Sequence, residues 1–554
     1  MTQSKKTKQR SWQPTLINVL LLTALIIVAI HVVIYIAFGI ALIPFPFDYD
    51  QAEGFELNNA ILLSQGDCPY CNNNDFPFYA SGYAPFFHIL MIPFVWLFGA
   101  AYWYGRFIIF IATFVTAAAI AYTIKRDENR LWVGLLLGGG FLASNYIYHI
   151  GPLLRQHLLM VMFETLAIVI IAPAFDLQGF KRHKRLFIAF ALLLLAGYTK
   201  QLAISTCFAI GLWGLIRNPR TTIIYSVGLG IVAALIFIGA MLVTDGHWWV
   251  NIITSNQNEY ITQQFVGLMR QFITLHWTLL IMAFLMVLYE TYFDRLSVYS
   301  VWFIVSFAST IGTGKWGAGD SYFATTLVAA CLLSGLFIAR SFNQTWHFPK
   351  TYLSHLTKLR IPTSIVTGFG LILVIIYGAT VIKFPTSGTV FGTIADTFNI
   401  EPKLGHRYPF YDNADWTVGY AVTGHFPSEQ DVENGWRIVA RVRQAEGLVM
   451  SEDAGFSIQA GREVITNAVQ LRNLWEIDPT GELGIYDPSN LLQMIENQTF
   501  GLIIRRGDFF PIPVLLAIDT YYELDETIPM NGFDYQLWIP KSPFLGFIAP
   551  RTNW

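Results

Sequence analysis

Four carboxylates lie within nine residues of one polar stretch, Pro44 to Tyr83, in a chain that is otherwise sparing with charge. They are Asp48, Asp50, Glu53 and Glu56. A carboxylate beside a substrate can act as a general base that takes the proton from an attacking hydroxyl, which typically contributes about 10²–10⁴ in rate. This acidic stretch is therefore the first place in the chain to expect a reaction.

The spacing of these acids bears on their roles. Asp50 and Glu53 are three residues apart, so in a short helix their side chains share one face. Asp48 stands in an entry rich in proline and phenylalanine, where it suits a cap for the residues after it. Acids of an arbitrary loop are usually only solvated, but these come after a long apolar segment, where charge is costly to hold. The cluster also suits a divalent cation, which prefers oxygen ligands, so base and metal ligand both stay open.

A lysine divides a long apolar region into two halves. Lys200 lies between residues 186–198 and 201–216, and each half has a basic cluster at its far end. An ammonium at such a break suits a lipid-linked phosphate, because fixed positive charge stabilises a leaving phosphate. The alternative is a lysine that extends its amine to the membrane interface. Arg155 and His157 begin another apolar segment and invite the same interpretation, since a guanidinium holds phosphate oxygens in pairs.

A glycine-rich turn, GTGKWGAGDSYF at 312–323, supplies further candidates. Lys315 is a candidate contact for a phosphate, and Asp320 is a candidate second acid. Trp316 and Tyr322 suit stacking on a sugar or a lipid. A plain turn at the membrane interface, anchored by its aromatic residues, explains most of the same features.

Composition identifies the class of protein that holds these residues. Of 554 residues, 54% are hydrophobic and 13% are charged. A water-soluble protein of this size needs far more polar residues to cover its surface, so we expect a polytopic α-helical membrane protein. The formal net charge of −2 gives no case for nucleic-acid binding.

Apolar segments predict about 11–13 membrane helices, some of them only marginally long enough for about 30 Å of hydrocarbon. The candidates are residues 16–43, 84–100, 105–124, 131–149, 155–175, 186–198, 201–216, 222–243, 276–289, 298–311, 321–340 and 363–382. Basic clusters predict the cytoplasmic side. They are the N-terminus, 125–130, 181–185, 217–220, Asp294-Arg295 and the loop 340–360. The acidic stretch and the break at Lys200 then face the outside.

One segment conflicts with this sidedness. If 84–100 and 105–124 both cross the membrane, the basic cluster at 125–130 falls outside, against its charge. We therefore expect one segment among 84–149 to be re-entrant or interfacial. The best candidate is 84–100, which carries Pro85 and Pro93.

The composition changes at about residue 384, where charged residues return and apolar runs shorten. The patterns predict helices at 431–446 and 488–496, and strands at 447–451, 500–506 and 534–540. Such alternation indicates a small extracytoplasmic α/β domain over 384–554, after a transmembrane domain over 1–383.

Two cysteines, Cys68 and Cys71, form a CPYC in the acidic stretch. With no second pair, a zinc site is weakly supported, and a redox role lacks its βαβ context. On an external loop, a local disulfide and two free thiols both stay open. Cys207 and Cys331 lie in apolar runs and are expected in the core.

Together these pieces resemble the GT-C glycosyltransferases, the lipid-phosphate-sugar-dependent class that includes protein O-mannosyltransferases and the lipid A aminoarabinose transferase. The chain looks most like the RgtA/B/C/D-like bacterial group. The resemblance rests on the first loop FDYDQAEGFELNNAILLSQGDCPY, the re-entry YASGYAPFFHILMIPFVWLFG, the Thr-Lys-Gln break at 199–201 and the DSYF turn with its following span. The tail segment SEDAGFSIQAGREVI also looks like tails in this group.

The resemblance implies a catalytic carboxylate in the first external loop and a polyprenyl-phosphate sugar as donor. It places the base at Asp50, with Glu53 beside it. Relatives usually have adjacent or nearly adjacent acids before the glycine, whereas two residues intervene here, so Asp48, Asp50 and Glu53 all remain candidates. Relatives also tend to show Asn where this chain has Ser321, so a role for that position is in doubt.

The sequence is thus expected to encode an inverting hexosyl- or pentosyltransferase of the cell membrane, acting at the outer face. A first-loop acid, Asp50 or a neighbour, would activate a hydroxyl of a glycan, lipid or protein, while Lys200 and Arg155 stabilise the leaving phosphate. A divalent cation is the one cofactor that the acids suggest. The alternatives are a transporter or flippase of a lipid-linked substrate and a non-catalytic scaffold. A transporter should show an internal repeat and charges near the membrane midplane, and neither is evident.

Overall fold

The computed structural model describes residues 12–71, 73–347, 363–381, 385, 389–399 and 426–541. The N-terminal basic cluster, most of the predicted cytoplasmic loop 340–360 and the predicted domain boundary at 383/384 lie outside the described residues.

Helices form most of the described chain. Their bounds are α1 Trp12–Leu42, α2 Glu53–Gln65, α3 Phe86–Phe98, α4 Trp103–Glu128, α5 Leu131–Ala143, α6 Asn145–Ile150, α7 His157–Ile171, α8 Gly179–Thr199, α9 Ile204–Arg217, α10 Pro219–Val243, α11 His247–Ile252, α12 Thr262–Phe293, α13 Val298–Ser309, α14 Ala324–Asn343, α15 Thr363–Thr380, α16 Thr389–Thr397, α17 Glu429–Gln444, α18 Gly455–Ala460, α19 Ala468–Ile477, α20 Ser489–Glu496 and α21 Ile512–Tyr521.

All the predicted apolar segments are helical, and one of them is broken. Residues 131–149 divide into α5 and α6 at Ser144, whose ψ of 137° leaves the helical region. The Ser144 hydroxyl then accepts the N–H of Tyr146 and caps α6. Among the described residues, 6 helical segments are long and apolar enough to cross a membrane. They are 15–42, 103–128, 157–176, 219–243, 262–293 and 320–343.

Contacts between distant segments define one end of the helix bundle. Arg340 donates to the carboxylates of Glu128 at 2.9 Å and Asp294 at 2.8 Å. Arg217 donates to the carbonyl of Leu296 at 2.5 Å. Four of the basic clusters predicted to be cytoplasmic, 125–130, 217–220, Asp294-Arg295 and the start of 340–360, therefore meet at the same end, which we call the basic end.

The acidic stretch lies at the other end of the bundle. Arg106, in the first turn of α4, donates to the carbonyl of Leu42 at the end of α1 at 2.9 Å. From there α4 runs to Glu128 at the basic end, so the intervening residues 43–102 leave and return at one end. Within them, α3 has 13 residues and is about 20 Å long, too short for the hydrocarbon core. This length agrees with the expectation that 84–100 is re-entrant or interfacial, which stays a prediction.

The C-terminal region contains a four-stranded sheet with the order β1-β2-β4-β3. The strands are β1 Leu448–Ser451, β2 Phe500–Arg505, β3 Tyr522–Met530 and β4 Phe533–Pro540. β1 and β2 are parallel, whereas β4 is antiparallel to both β2 and β3. Three strands and both helices match the predicted elements. β3 was not predicted, because its sequence YELDETIPM is acidic, contains a proline and is largely exposed, as suits a strand at a sheet edge.

The α/β region packs directly on the acidic stretch. The ring of Phe47 lies 5.2 Å from that of Trp436 and 5.9 Å from that of Phe456. Gly435 of α17 lies so close to Phe47 that an added Cβ would come within 2.2 Å of the ring. These contacts hold the stretch between the helix bundle and the α/β region. Further along the stretch, Cys68 and Cys71 are joined by a disulfide.

Replacing Gly435 by alanine tests this packing. The added methyl overlaps the Phe47 ring, and overpacking of this kind typically costs about 1–3 kcal/mol. We expect Gly435→Ala to lower the thermal unfolding midpoint of the purified protein and to expose α17 to limited proteolysis.

The matched control is Gly228→Ala in α10, where a new Cβ meets nothing within 4 Å. Because alanine favours helix over glycine by up to about 1 kcal/mol, this control should be neutral or stabilising. Equal midpoints for the two variants would contradict the close packing of α17 on Phe47.

Candidate active site

A buried ion pair anchors the acidic stretch. The guanidinium of Arg106 donates two hydrogen bonds to the Glu53 carboxylate, at 2.7 and 2.9 Å, and both side chains are 0% exposed. Arg106 also donates to the carbonyl of Phe47 at 2.7 Å. Glu53 accepts the backbone N–H groups of Tyr49 at 2.8 Å and Leu154 at 2.6 Å. We call this arrangement the Arg106–Glu53 clamp.

The clamp gives Glu53 a structural role. Burial alone would raise the pKa of Glu53, but the charge and hydrogen bonds of Arg106 outweigh it and hold that pKa below its usual value. The carboxylate stays ionised and fully engaged with its partners, and it lines neither cavity of the site. Glu53 thus positions its neighbours.

Asp48 joins three segments. One oxygen of its carboxylate accepts the N–H of Gly54 in the first turn of α2, as expected for a capping role. The other accepts the hydroxyl of Tyr102 and the N–H of Gly455, each at 2.9 Å. Burial, and then the charges of Asp453 and Glu53, raise the pKa of Asp48 well above its usual value. Asp48 therefore binds the stretch to the α/β region.

Behind Asp48, two acids of the α/β region shape a loop. Glu452 accepts the N–H groups of Arg506 at 2.6 Å, Gly507 at 2.8 Å and Phe509 at 2.5 Å. Asp453 accepts the hydroxyl of Tyr535 at 2.9 Å and lies 3.4 Å from the Arg506 guanidinium. These contacts fix the loop that carries Gly507 and Phe509.

The first cavity, the larger cleft, lies between the acidic stretch and the α/β region. It holds about 1160 Å³ of empty space, including its open mouth. Asp50 and Glu56 line it on one side, and Gly507, Phe509 and Arg472 on the other. Its seven amide side chains are Gln51, Asn59, Asn256, Gln264, Asn467, Gln470 and Asn473. Amides both donate and accept hydrogen bonds, so this lining suits a hydroxyl-bearing ligand.

The second, the smaller cavity, adjoins the larger cleft and holds about 530 Å³ of empty space. Asp50, Tyr83 and Arg155 line both cavities. Lys200 and Asp320 line only the smaller one. The structure therefore brings together four residues that the sequence analysis selected from widely separated segments.

Asp50 stands where the two cavities meet. Its carboxylate pairs with the Arg155 guanidinium at 2.8 Å. The Asp50 side chain is 3% exposed and that of Arg155 is 18% exposed. Of the predicted acids, Asp50 is thus the one that lines both cavities and has a cationic partner reachable from solvent.

Lys200 is placed near the acids of the stretch without pairing with any of them, although the charges of Glu56 and Asp50 act on it from farther away. Its ammonium lies 3.1 Å from His157 Nδ1 and faces the rings of Tyr83 at 5.2 Å and Tyr322 at 5.4 Å. The residue is 7% exposed. Within the described parts of the chain, no carboxylate forms a salt bridge with it. A buried cation in this state suits an anionic ligand.

The remaining candidates are placed differently. Asp320 accepts a hydrogen bond from His149 Nδ1 at 3.1 Å. Lys315 is exposed, donates to the carbonyl of Asn256 at 3.1 Å and lines neither cavity. Trp316 lines the larger cleft, with the Arg472 guanidinium 4.6 Å from its ring centroid.

In the described part of the stretch, its acids do not converge on a common point. Asp48, Asp50, Glu53 and Glu56 each take a separate partner, which for Glu56 is His88. No group of three or more His, Cys, Asp or Glu side chains converges among the described residues. The acids therefore do not provide the oxygen ligand shell that a hard cation requires.

Sequence reasoning missed Arg106 and His88. Both lie in predicted apolar segments, and a charged residue in such a segment usually faces a partner inside the protein. That signal was available for Arg106, which is the first cation after the acidic stretch.

Breaking the Arg106–Glu53 clamp should destabilise the folded protein. Arg106→Lys keeps a positive charge but loses the two-pronged contact, and Arg106→Met leaves Glu53 buried and unpaired, which typically costs about 3–5 kcal/mol. We expect both variants to lower the thermal unfolding midpoint, with the Met variant worse.

Arg295→Lys is the control, because its partner Asp176 is 62% exposed and Arg295 is 55% exposed. Exposed pairs contribute about 0–1 kcal/mol, so its midpoint should stay near wild type. A similar small effect at both sites would contradict the anchoring role of Arg106.

Docking of the α/β region should depend on pH through Asp453. Burial raises the pKa of Asp453 from 3.8 to about 6, although the charge of Arg506 acts in the opposite direction. The folded chain therefore keeps this proton to a higher pH than the unfolded chain, and stability from Asp453 is lost as pH rises through that window. Measured relative to Asp453→Asn, the unfolding midpoint of wild type should rise on going from about pH 7 to about pH 5. Parallel pH profiles would show that Asp453 does not titrate in this way.

Comparisons with known proteins agree with this architecture at the level of the fold. No protein-family model matches the chain, and no curated protein matches it by sequence. The crystal structure of ArnT from Cupriavidus metallidurans bound to undecaprenyl phosphate is similar, with a TM-score of 0.51 and 10% identity over 92% of this chain and 97% of that one. The structure of the same ArnT in the apo state gives a TM-score of 0.51 and 11% identity. The Archaeoglobus fulgidus oligosaccharyltransferase in the apo form gives a TM-score of 0.48 and 12% identity, over 93% of this chain and 73% of that one. The predicted fold class is confirmed: the chain has the fold of these ArnT structures, a helical membrane bundle followed by a C-terminal α/β region.

Proposed function

We propose that the protein is a membrane glycosyltransferase that moves a sugar from a polyprenyl-phosphate donor to an acceptor hydroxyl, with inversion. The observation that carries the proposal is that Asp50 and Lys200 line one cavity, which shares Asp50, Tyr83 and Arg155 with a second. A base, a cationic phosphate site and separate spaces for donor and acceptor are what a single displacement requires.

The smaller cavity is assigned to the phosphate and sugar of the donor. Lys200 lacks a carboxylate partner among the described residues, and Arg155 is close enough to the cavity to share its charge with a second anion. A phosphate placed between them would gain charge-assisted hydrogen bonds as the leaving group accumulates charge. The similarity to a GT-C structure bound to undecaprenyl phosphate supports a polyprenyl phosphate as the carrier.

The reaction then takes place at Asp50. The acceptor oxygen attacks the anomeric carbon, and its proton passes to the Asp50 carboxylate. The bond between the anomeric carbon and the phosphate oxygen breaks, and its electron pair stays on the phosphate beside Lys200. Because entry and departure occur on opposite faces of the carbon, the configuration inverts.

The larger cleft is assigned to the acceptor. The acidic stretch forms one wall and the α/β region the other, so the α/β region would orient a glycan, lipid or protein hydroxyl toward Asp50. The amide-rich lining supports recognition of an acceptor that carries hydroxyl groups.

We further propose the predicted division into a transmembrane domain over 1–383 and an extracytoplasmic domain over 384–554, with a cytoplasmic N-terminus. The meeting of four basic clusters at one end of the bundle supports this orientation, because such clusters favour the cytoplasmic side. The acidic stretch at the opposite end would then be external.

Neutralising the proposed base should stop the reaction while leaving the fold intact. In Asp50→Asn, transfer of radiolabelled sugar from polyprenyl phosphate in membranes is expected to fall by at least about 10²-fold, as is typical for loss of a general base. Asp67→Asn, in the same stretch but exposed, is the control and should transfer sugar as wild type does.

Three outcomes separate the classes of function. Loss in Asp50→Asn alone supports the proposal. Equal transfer in both variants would remove Asp50 from the mechanism, and absence of transfer in every form, wild type included, would favour a transporter or a scaffold.

Removing the Lys200 ammonium should weaken binding of the donor phosphate. We expect Lys200→Met to reduce binding of undecaprenyl phosphate about 10-fold or more, since one charge-assisted hydrogen bond is lost from a buried site. Lys315→Met, whose ammonium lies outside both cavities, should bind it as wild type does. The measurement is lipid binding to the purified protein by thermophoresis, and the reverse order of effects would place the phosphate at the glycine-rich turn.

A further inference from the structure

An amide side chain in the smaller cavity is left without partners. Gln156 directly precedes α7, is 1% exposed and lines the smaller cavity with Lys200 and Arg155. Neither its Oε1 nor its Nε2 has a hydrogen-bond partner among the described residues. A buried amide in this state costs free energy, and a ligand that supplied both missing bonds would recover it.

The two unsatisfied atoms restrict the chemistry of that ligand. The Nε2 group needs an acceptor, whereas Oε1 needs a donor. An ionised phosphate offers only acceptors and would leave Oε1 unpaired. A hydroxyl group offers both, and a sugar has several hydroxyls on adjacent carbons. The amide of Gln156 therefore fits a sugar better than it fits the phosphate.

The position of Gln156 agrees with this division. Lys200 and Arg155 supply the positive charge of the cavity, while Asp50 lies on the wall shared with the larger cleft. Under the proposed function, the donor phosphate contacts the two cations and its sugar occupies the same cavity. Gln156 comes directly after Arg155 in the chain, so its side chain starts from backbone next to the phosphate site.

We propose that Gln156 binds a hydroxyl of the sugar carried by the donor and thereby selects that sugar. This inference rests on the proposed function. Gln156 is thus a specificity-determining residue, distinct from the cations that bind the phosphate and from the acid that accepts the proton.

The test compares two kinds of probe on the full-length protein purified in nanodiscs. One probe is undecaprenyl phosphate, and the others are undecaprenyl phosphates that carry glucose, galactose, mannose or arabinose. The variant Gln156→Met keeps the length of the side chain and removes both polar atoms. It should bind undecaprenyl phosphate within about twofold of wild type, and lose roughly tenfold in affinity for the preferred sugar-linked probe, as expected for a lost hydrogen bond. The differences in its affinity for the four sugar-linked probes should also become smaller.

Gln271→Met is the matched control. Gln271 is also buried, at 4% exposure, and both of its amide atoms also lack partners among the described residues, but it lines neither cavity. Its variant should bind every probe as wild type does. Gln156→Asn, which keeps the amide but withdraws it by one methylene, serves where the Met variant does not fold, and it should also lose affinity only for the sugar-linked probes.

The outcomes distinguish this inference from the proposed function. Unchanged binding of the sugar-linked probes by both Gln156 variants would overturn the inference and leave the proposed function intact. Equal losses for undecaprenyl phosphate and the sugar-linked probes would also overturn it, because Gln156 would then belong to the phosphate site. Failure of wild type to bind any of the probes would remove the proposed function itself.

Discussion

The clamp between Arg106 and Glu53 is the interaction on which the rest of the site depends. A fully buried ion pair is stable only if nearly every donor and acceptor is satisfied. Here the remaining donors of Arg106 and the remaining acceptor positions of Glu53 form hydrogen bonds with the irregular backbone around the site. The constraint works in both directions. The carbonyls after α1 need donors at the edge of an apolar bundle, and the charges need polar partners in a place that water does not reach. One arginine and one glutamate meet both needs.

This clamp also explains why Asp50 and Arg155 meet. Glu53 accepts the N–H of Tyr49, the residue before Asp50, and that of Leu154, the residue before Arg155. A single carboxylate therefore fixes the backbone on both sides of the Asp50–Arg155 ion pair. On the opposite side, Asp48 joins the same stretch to the α/β region through Gly455. The cavities lie between these two attachments, so their shape depends on both buried acids.

The extent of what the sequence could predict depends on where each signal resides. Apolar runs are local signals, so the helices of the bundle were predicted correctly. The resemblance favoured Asp50, but Asp48 and Glu53 remained candidates for the base, because the roles of these acids depend on partners far away in sequence, such as Arg106 for Glu53. β3 was missed because an exposed acidic strand has no hydrophobic alternation. The lack of partners at Gln156 leaves no trace in sequence at all, since it is a property of the folded cavity.

Three of the four acids form buried structural contacts, and the fourth, Asp50, is placed for the proposed reaction. The partners of Asp48 are neutral donors, Glu53 is held by a fully buried arginine, and Glu56 by the buried His88. Only in the pair of Asp50 is the cation partly open to solvent. Under the proposed reaction, a donor phosphate would draw the Arg155 guanidinium toward itself, and the Asp50 carboxylate would lose its counter-ion as an acceptor hydroxyl arrives beside it. Binding of the donor would then itself release the base, which links proton removal to an occupied donor site.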